Sequence, residues 1–351
     1  MTPRLFIIIL ITFFFFSCHK EQHVPSDQSN FFEAIHSDSA LQLEVITNLQ
    51  ALIEDRSMVY QNAQIHLLDA EGNSKSLQAQ LKVRGNTRKR ICDFPPLKLK
   101  LAEEDLDAHN WNKELDTYKI VTDCIGQKDL VAKELLVYQM YNLLTEKSFR
   151  VQPLEITYVD SRNPQVKLHQ FGFLIESKKA LAQRLAAKSL PSEIQSIKRV
   201  DAAQYQKLTV FQYMIGNTDW NLGRSHNIKY IQLTDKNVPS PIPYDFDYAG
   251  LVDAPYAIPH PNLPIQDVKE RFFQWRGSCS KGLGDLLKQV NTQKDNMLDL
   301  CQHHPWLSDL AKEETVDYLN SFFQIVEEAT QYEGKELVSK LKNQNKPNTP
   351  A

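Results

Sequence analysis

No GxSxG stretch and no HExxH occurs anywhere in the 351 residues, so the nucleophile-elbow hydrolases and the zinc proteases have no support. No two cysteines form a CxxC pair, which removes the usual zinc and dithiol redox motifs. A basic excess is missing as well. The chain sets 40 Lys and Arg against 43 Asp and Glu, a formal net charge of -3, and the cations are scattered. Nucleic-acid binders need a cationic surplus to neutralise phosphates, so that partner class is excluded. There is no internal repeat. What remains is a chain 42% hydrophobic and 24% charged, enough for one large domain or two lobes sharing an interface.

The N-terminal apolar run is too short to span a bilayer, which takes roughly 20 residues. Phe6 to Phe16 follows Arg4, and in those eleven residues only Thr12 is not strongly apolar. A run of this length, between about 7 and 15 residues, suits the h-region of a secretion signal. It ends in Phe15-Phe16-Ser17-Cys18, which resembles a bacterial lipobox. The resemblance makes Cys18 the lipidated N-terminus of the mature chain and the lipid bilayer its partner. The protein is then held in a bacterial cell envelope, facing the periplasm or the cell surface. The expected organisation is a signal peptide over 1–18, a flexible tether over 19–38, a strand-rich N-lobe over 39–180, a helical C-lobe over 181–340 and a disordered tail over 341–351. Cys92, Cys124, Cys279 and Cys301 remain. An oxidising compartment allows them one or two disulfides, with partners that spacing does not select.

Alternating patterns predict strands over LQLEVIT, over AQIHLL and SLQAQLKV on either side of a turn at Asp69 to Asn73, and over Pro96 to Leu101. Together they suggest a small antiparallel sheet. In Leu97-Lys98-Leu99-Lys100-Leu101 the lysines share one face and the leucines the other. KDLVAKELLVYQMYNLLTEK has its apolar residues near the 3.6 period and predicts a helix with Lys133 and Glu134 on its flank. Strands LEITYVD and QFGFLIES follow, the second ending at Glu176. The second half predicts helices over AAQYQKLTVFQYMI, Ile265 to Trp275, Lys281 to Gln289 and Glu313 to Ala329, with NIKYIQL as a strand.

Between helix and strand lies GNTDWNLGRSHN, and beyond the strand PYDFDYAG. Asp219, Asn227 and Asp245 in this order can converge oxygen ligands on a hard cation, completed by phosphate oxygens and water. Phosphoryl transfer needs one Asp to orient the attacking hydroxyl, an Asn and a second Asp for metal, and a strand Lys for phosphates.

These stretches, with Arg84-Gly85-Asn86 and FPPLKLKL upstream, resemble atypical kinases of the spore-coat CotH type and, more distantly, HipA-type kinases. The likeness is closer still to a set of bacterial envelope proteins. It covers about Leu77 to Gly277 and implies an α+β, two-lobed atypical kinase-like fold that uses ATP with Mg2+ or Mn2+ to phosphorylate an envelope protein or glycan. Carried over residue by residue, it makes Asp219 the catalytic aspartate and Asn227 and Asp245 the metal ligands. Asp247 shares the metal role because the DFD spacing does not decide which carboxylate faces the ion. Lys98 or Lys100 contacts phosphate together with Arg84, Glu134 is the lysine's helix partner, and Glu176 ends the strand that leads to the adenine-side hinge.

Two departures stand out. No GxGxxG precedes the basic strand, which leaves the RGN turn to substitute for a phosphate lid. Asp219 and Asn227 lie eight positions apart where compact kinase loops use about five, so the inserted WNLGR threatens to displace the asparagine. An envelope protein also sits where ATP is scarce. The alternative is therefore a catalytically inactive kinase-like binding or structural lipoprotein. His226 reads as a structural hydrogen-bonding residue, His303-His304 as exposed, and Arg271 and Arg276 as solvated helix arginines.

Overall fold

The computed structural model describes residues 28–68, 74–85, 87–191, 199–277 and 280–343. Cys18, the signal and lipidation site, the turn at Asp69 to Asn73, Asn86 and Cys279 lie outside them. The molecule is α+β. Its strands are β1 (Leu41–Thr47), β2 (Gln61–Leu68), β3 (Ser74–Val83), β4 (Leu97–Leu101), β5 (Thr117–Thr122), β6 (Val151–Asp160), β7 (Asn163–Ile175), β8 (Ala187–Ser189), β9 (Ile228–Leu233) and β10 (Ser240–Pro243). The helices are α1 (Phe31–Ile35), α2 (Leu49–Ile53), α3 (Arg88–Ile91), α4 (Glu103–Ala108), α5 (Lys128–Leu144), α6 (Lys178–Arg184), α7 (Ala202–Met214), α8 (Leu283–Asn291), α9 (Lys294–Gln302), α10 (Asp309–Ala329) and α11 (Gly334–Asn343). Among the described residues no helix is long and apolar enough to cross a membrane.

The strand-rich half is not simply the small antiparallel sheet expected. Seven strands close into a barrel in the order β1-β2-β3-β4-β5-β7-β6. Closure comes from β1, which pairs antiparallel with β2 on one side and parallel with β6 on the other, in register from Leu41 with Leu154 to Thr47 with Asp160. Alternation fills the interior, since every second residue points inward. Val45, Ile65, Leu81, Leu97, Leu99, Tyr118, Ile120 and Leu174 form one apolar core, with Phe31, Phe32 and Trp111 packed into it.

The outer face of β5 and β7 serves a second core. Val121, Phe171, Phe173 and Ile175 join α5, α7, α10 and the sheet β10-β9-β8 there. This core draws on residues from both sides of position 180, so the two expected lobes share α5 and β7 rather than parting there. Helix α5 is buried on nearly all sides, including Lys133 and Glu134, and is not the amphipathic helix with a polar flank that its periodicity suggested.

Ile265 to Trp275 is not helical. Arg271, Phe273 and Trp275 are buried and alternate with less buried neighbours, the period-2 pattern of extended chain. The Arg271 guanidinium explains the override. It donates to the Met214 and Tyr318 carbonyls and to Ser321 Oγ, and it stacks 3.8 Å over the Tyr318 ring. Tertiary bonds of this kind outweigh helix propensity. His304 is buried rather than exposed, packed edge-on to Trp306, and burial pulls its ring down to about 4.

Candidate functional site

Two polar loops meet because two glycines let their backbones touch. Helix α7 is capped at its start by Asp201, which accepts from the Ala203 and Gln204 amides. It ends at Gly216, whose φ of +65° favours glycine. Gly250 N donates to the Gly216 carbonyl at 3.2 Å and Leu251 N to the Ile215 carbonyl at 3.0 Å. A Cβ on either glycine would stand 2.6 Å or less from the Tyr318 hydroxyl. The GNTD loop is thereby laid against the turn that carries DFDYAG.

Within the first loop, Asn217 Oδ1 accepts from the Asp219 amide at 2.9 Å. The insertion after Asp219 folds into a small hairpin. Asn221 and His226 exchange both backbone hydrogen bonds, so the extra residues loop out and Asn227 returns to Asp219. Asn227 Nδ2 donates to the Asp219 carbonyl at 2.8 Å and to its Oδ2 at 3.0 Å. His226 Nε2 lies 2.8 Å from Asp219 Oδ1. Asn227 also accepts from Tyr244 N through its carbonyl at 3.2 Å, which sets it beside the DFD turn. Asn227 and Asp245 both hold positive φ, +51° and +66°, a conformation that asparagine and aspartate tolerate best among non-glycine residues.

Phe246 decides where the two carboxylates of DFD go. Its ring is fully buried between α5 and α7, against Tyr138 at 4.7 Å and Phe211 at 5.9 Å. Flanking residues are thus sent to different neighbours. Asp247 is paired with Arg88 Nε at 2.9 Å, so it is not a free metal ligand as the resemblance allowed. Asp245 has its amide held by the Tyr138 hydroxyl, while its carboxylate makes no hydrogen bond or ion pair among the described residues.

Glu134 does not pair with Lys98 or Lys100. Its Oε2 takes Arg88 Nη2 at 2.7 Å, and its Oε1 is buried with no partner. Tyr256 OH accepts from Arg88 Nε at 3.0 Å and donates to Asp247 at 3.3 Å. One guanidinium therefore faces two buried carboxylates, with Asp245 nearby. Burial lifts the Asp247 carboxyl to about 7 against the pull of Arg88, and raises Glu134 as well. Arg88 reaches this position because its short helix is pinned. The disulfide Cys92–Cys124 and an Asp93 N to Cys124 carbonyl bond of 2.7 Å tie it to the segment between β5 and α5.

On the other side of Asp245, which acts on both groups, the balance reverses. Lys82, Lys98 and Lys119 stand directly opposite one another on adjacent strands β3, β4 and β5. Like charges so placed repel. Lys119 Nζ and Lys229 Nζ each lie 4.5 Å from the Tyr244 ring centre. Burial, with Arg84 adding repulsion, pulls Lys119 down to about 7, and Asp245 pulls the other way. Lys229 is lowered by burial and lifted by the same carboxylate.

Lys98 thus belongs to this face. Lys100 points to the other end of β4, where it pairs with Asp116 at 3.7 Å, and is withdrawn as a phosphate contact. Glu176 follows β7 directly, at the strand end where it was expected, with its carboxylate already engaged. Arg184 engages both its oxygens at 2.9 and 3.0 Å and the Arg150 amide adds a third bond, so it clamps the end of β7. Sequence reasoning passed over Lys119, Lys229 and Arg88. The lysine in TYKIVT had a usable signal, being the strand lysine immediately before the helix that carries Glu134. Arg88 lies in a basic run, RKR, that reads as solvated surface.

The residues fit a hard cation in part. Asp245 offers an unpaired carboxylate, Asn227 keeps Oδ1 while its Nδ2 is spent on Asp219, and the acid side carries more negative than positive charge. No group of three His, Cys, Asp or Glu with metal-holding geometry occurs among the described residues, so phosphate oxygens and water would complete the shell.

No family model matches the chain, and no curated protein does. Among solved structures, the Helicobacter pylori proinflammatory kinase CtkA is similar at 11% identity and a TM-score of 0.40, over 69% of this chain and 90% of that one. At that distance the likeness carries no weight for function.

Proposed function

We propose that the chain is a lipid-anchored envelope phosphotransferase of atypical-kinase type, akin to the CotH group, that uses ATP with Mg2+ or Mn2+. The observation that carries this is the position of Asp245. Its unpaired carboxylate lies between an over-acidic centre, formed by Asp247 and Glu134 on one arginine, and a face of lysines without acids of their own. A divalent cation bound to a polyphosphate has the complementary charge pattern.

In this reading Lys119, Lys98, Lys229 and Arg84 take the phosphates. Asn227 Oδ1 and Asp245 hold the cation, which when bound neutralises charge on the transferring group. Asp219 receives a donor on each oxygen, from His226 and Asn227. This fixes its rotamer and leaves lone pairs to orient an acceptor hydroxyl. Anchoring rests on the h-region and Cys18 of the sequence, and the Cys92–Cys124 disulfide suits the oxidising compartment that anchoring implies.

A non-catalytic binding lipoprotein is the second reading, favoured by the double tether that already occupies Asp219. Transfer of labelled phosphate from ATP to water or protein separates the two. Asp219→Asn is expected to lose transfer and keep nucleotide affinity. Wild-type protein that binds nucleotide and transfers nothing supports the second reading, and protein that binds no nucleotide defeats the first.

A further inference from the structure

Behind the Asp219 loop lies a cavity of about 160 Å³ that no step above uses, lined by Tyr205, Trp220, Asn221, Leu222, Gln274 and Arg276. A closed cavity of about 150 Å³ holds benzene, so this one, which is partly open to solvent, takes one face of a single sugar ring and leaves the rest of it in water. Tyr205 and Trp220 bring aromatic surface, Asn221 and Gln274 bring carboxamides, and no carboxylate lines it. Arg276 is exposed and makes no ion pair among the described residues, while its backbone N–H donates to Tyr205 OH at 2.8 Å. The unpaired guanidinium selects an anion and the aromatic surface a ring.

The cavity is joined to Asp219 twice. Gln274 Nε2 donates to the Thr218 carbonyl at 2.7 Å. Its other wall is Trp220 and the hairpin closed by Asn221 and His226, and the His226 ring meets Asp219.

We infer that this pocket binds an acidic sugar, a hydroxyl-bearing ring with a carboxylate, and that it anchors the acceptor beside Asp219. The sugar is preferred to an aromatic acid because the carboxamides have hydroxyls to meet and an acceptor must carry one. The word acceptor rests on the phosphotransferase reading, whereas the binding itself does not.

The test follows the Trp220 indole N–H cross-peak, assigned with Trp220→Phe, in 15N-labelled protein lacking the signal segment. It is titrated with methyl glucuronide, methyl glucoside and benzoate. Methyl glucuronide is expected to bind at least tenfold more tightly than methyl glucoside. Arg276→Gln should erase that difference, and Leu222→Trp, which fills the cavity, should erase the response. Equal response to both sugars, tighter binding of benzoate than of the glucuronide, or an unchanged preference in Arg276→Gln would overturn the proposal. Mg-ATP binding is measured on the same samples. Sugar binding without nucleotide binding sinks the phosphotransferase reading and leaves the pocket, and the converse result sinks the pocket alone.

Discussion

Arg184 and Arg88 are both buried arginines, with side chains 9% and 10% exposed, yet their surroundings differ in charge. Arg184 faces one buried carboxylate, Glu176, meets it through two nitrogens, and spends its remaining donors on the Glu146 and Ser148 carbonyls and on the exposed Glu146 carboxylate at 3.3 Å, which water also solvates. Every group there is matched, and the cluster is a clamp between α6 and the end of β7. Arg88 faces two buried carboxylates, and one oxygen of Glu134 has no partner. A matched pair holds structure. An unmatched one, set beside lysines that make no ion pair among the described residues, is on the proposed reading the place for a ligand that brings the missing charges.

The comparison breaks most visibly on removal of each arginine. Arg88→Met is expected to cost about 3–5 kcal/mol at pH 8, the usual loss when a buried charge is left alone. The loss should shrink at pH 5, because Asp247, lifted to about 7, takes up a proton there and ceases to be a buried charge, and burial moves Glu134 in the same direction. Arg184→Met should cost a similar amount while nucleotide binding by the folded fraction is kept. Urea unfolding at both pH values, with parallel binding measurements, checks the pair. Equal pH dependence in the two variants would mean that the centres do not differ as described.

Next in size is the disulfide. It closes a separation of 32 residues, for which chain entropy suggests about 3–4 kcal/mol. Cys92→Ser with Cys124→Ser should lower stability by that order and weaken nucleotide binding as well, because the Arg88 helix loses its pin. Stability loss with unchanged binding would show that Arg88 is held without the bridge.

Asp245 sharpens the contrast between function and strain. Asp245→Gly removes a side chain from a φ of +66°. It should raise stability by up to about 1 kcal/mol while reducing metal-nucleotide affinity by about tenfold or more. Thermal unfolding and calorimetry on one preparation check both signs.

How much of this could be read along the chain depends on the range of the interaction. The strands were visible because alternation is local, but barrel closure was not, since Leu41 meets Leu154 only through tertiary pairing. Asp219, Asn227 and Asp245 were legible as loop residues with side-chain oxygens, and of these the structure shows Asn227 in contact with Asp219. That the WNLGR insertion would fold out as a hairpin depended on the Asn221 and His226 backbone bonds, which no residue type announces. The partner of Glu134 was misjudged because a lysine on a neat alternating strand outshone an arginine in a surface-like run. The fate of Arg271 shows the same limit, because its partners Met214, Tyr318 and Ser321 lie about fifty residues away.

Smaller effects test the basic face. Lys119 is charged in the free protein below about 7 and neutral above it. Its lowered value costs stability at low pH, a cost that fades as pH rises from 7 towards the unfolded value. An anion binds the charged form, so polyphosphate affinity should fall as pH rises above 7, by up to about tenfold per unit. Lys119→Met should flatten that profile. Lys100→Met should leave it unchanged, at a stability cost within about 0.5 kcal/mol.

The most direct test is a calorimetric titration of the soluble protein with ATP, once with Mg2+ and once with EDTA. An acidic centre and a basic face that meet at Asp245 predict that Mg2+ tightens ATP binding at least tenfold and that Asp245→Ala abolishes the advantage. Equal affinity with and without Mg2+, or no binding in either buffer, would contradict it.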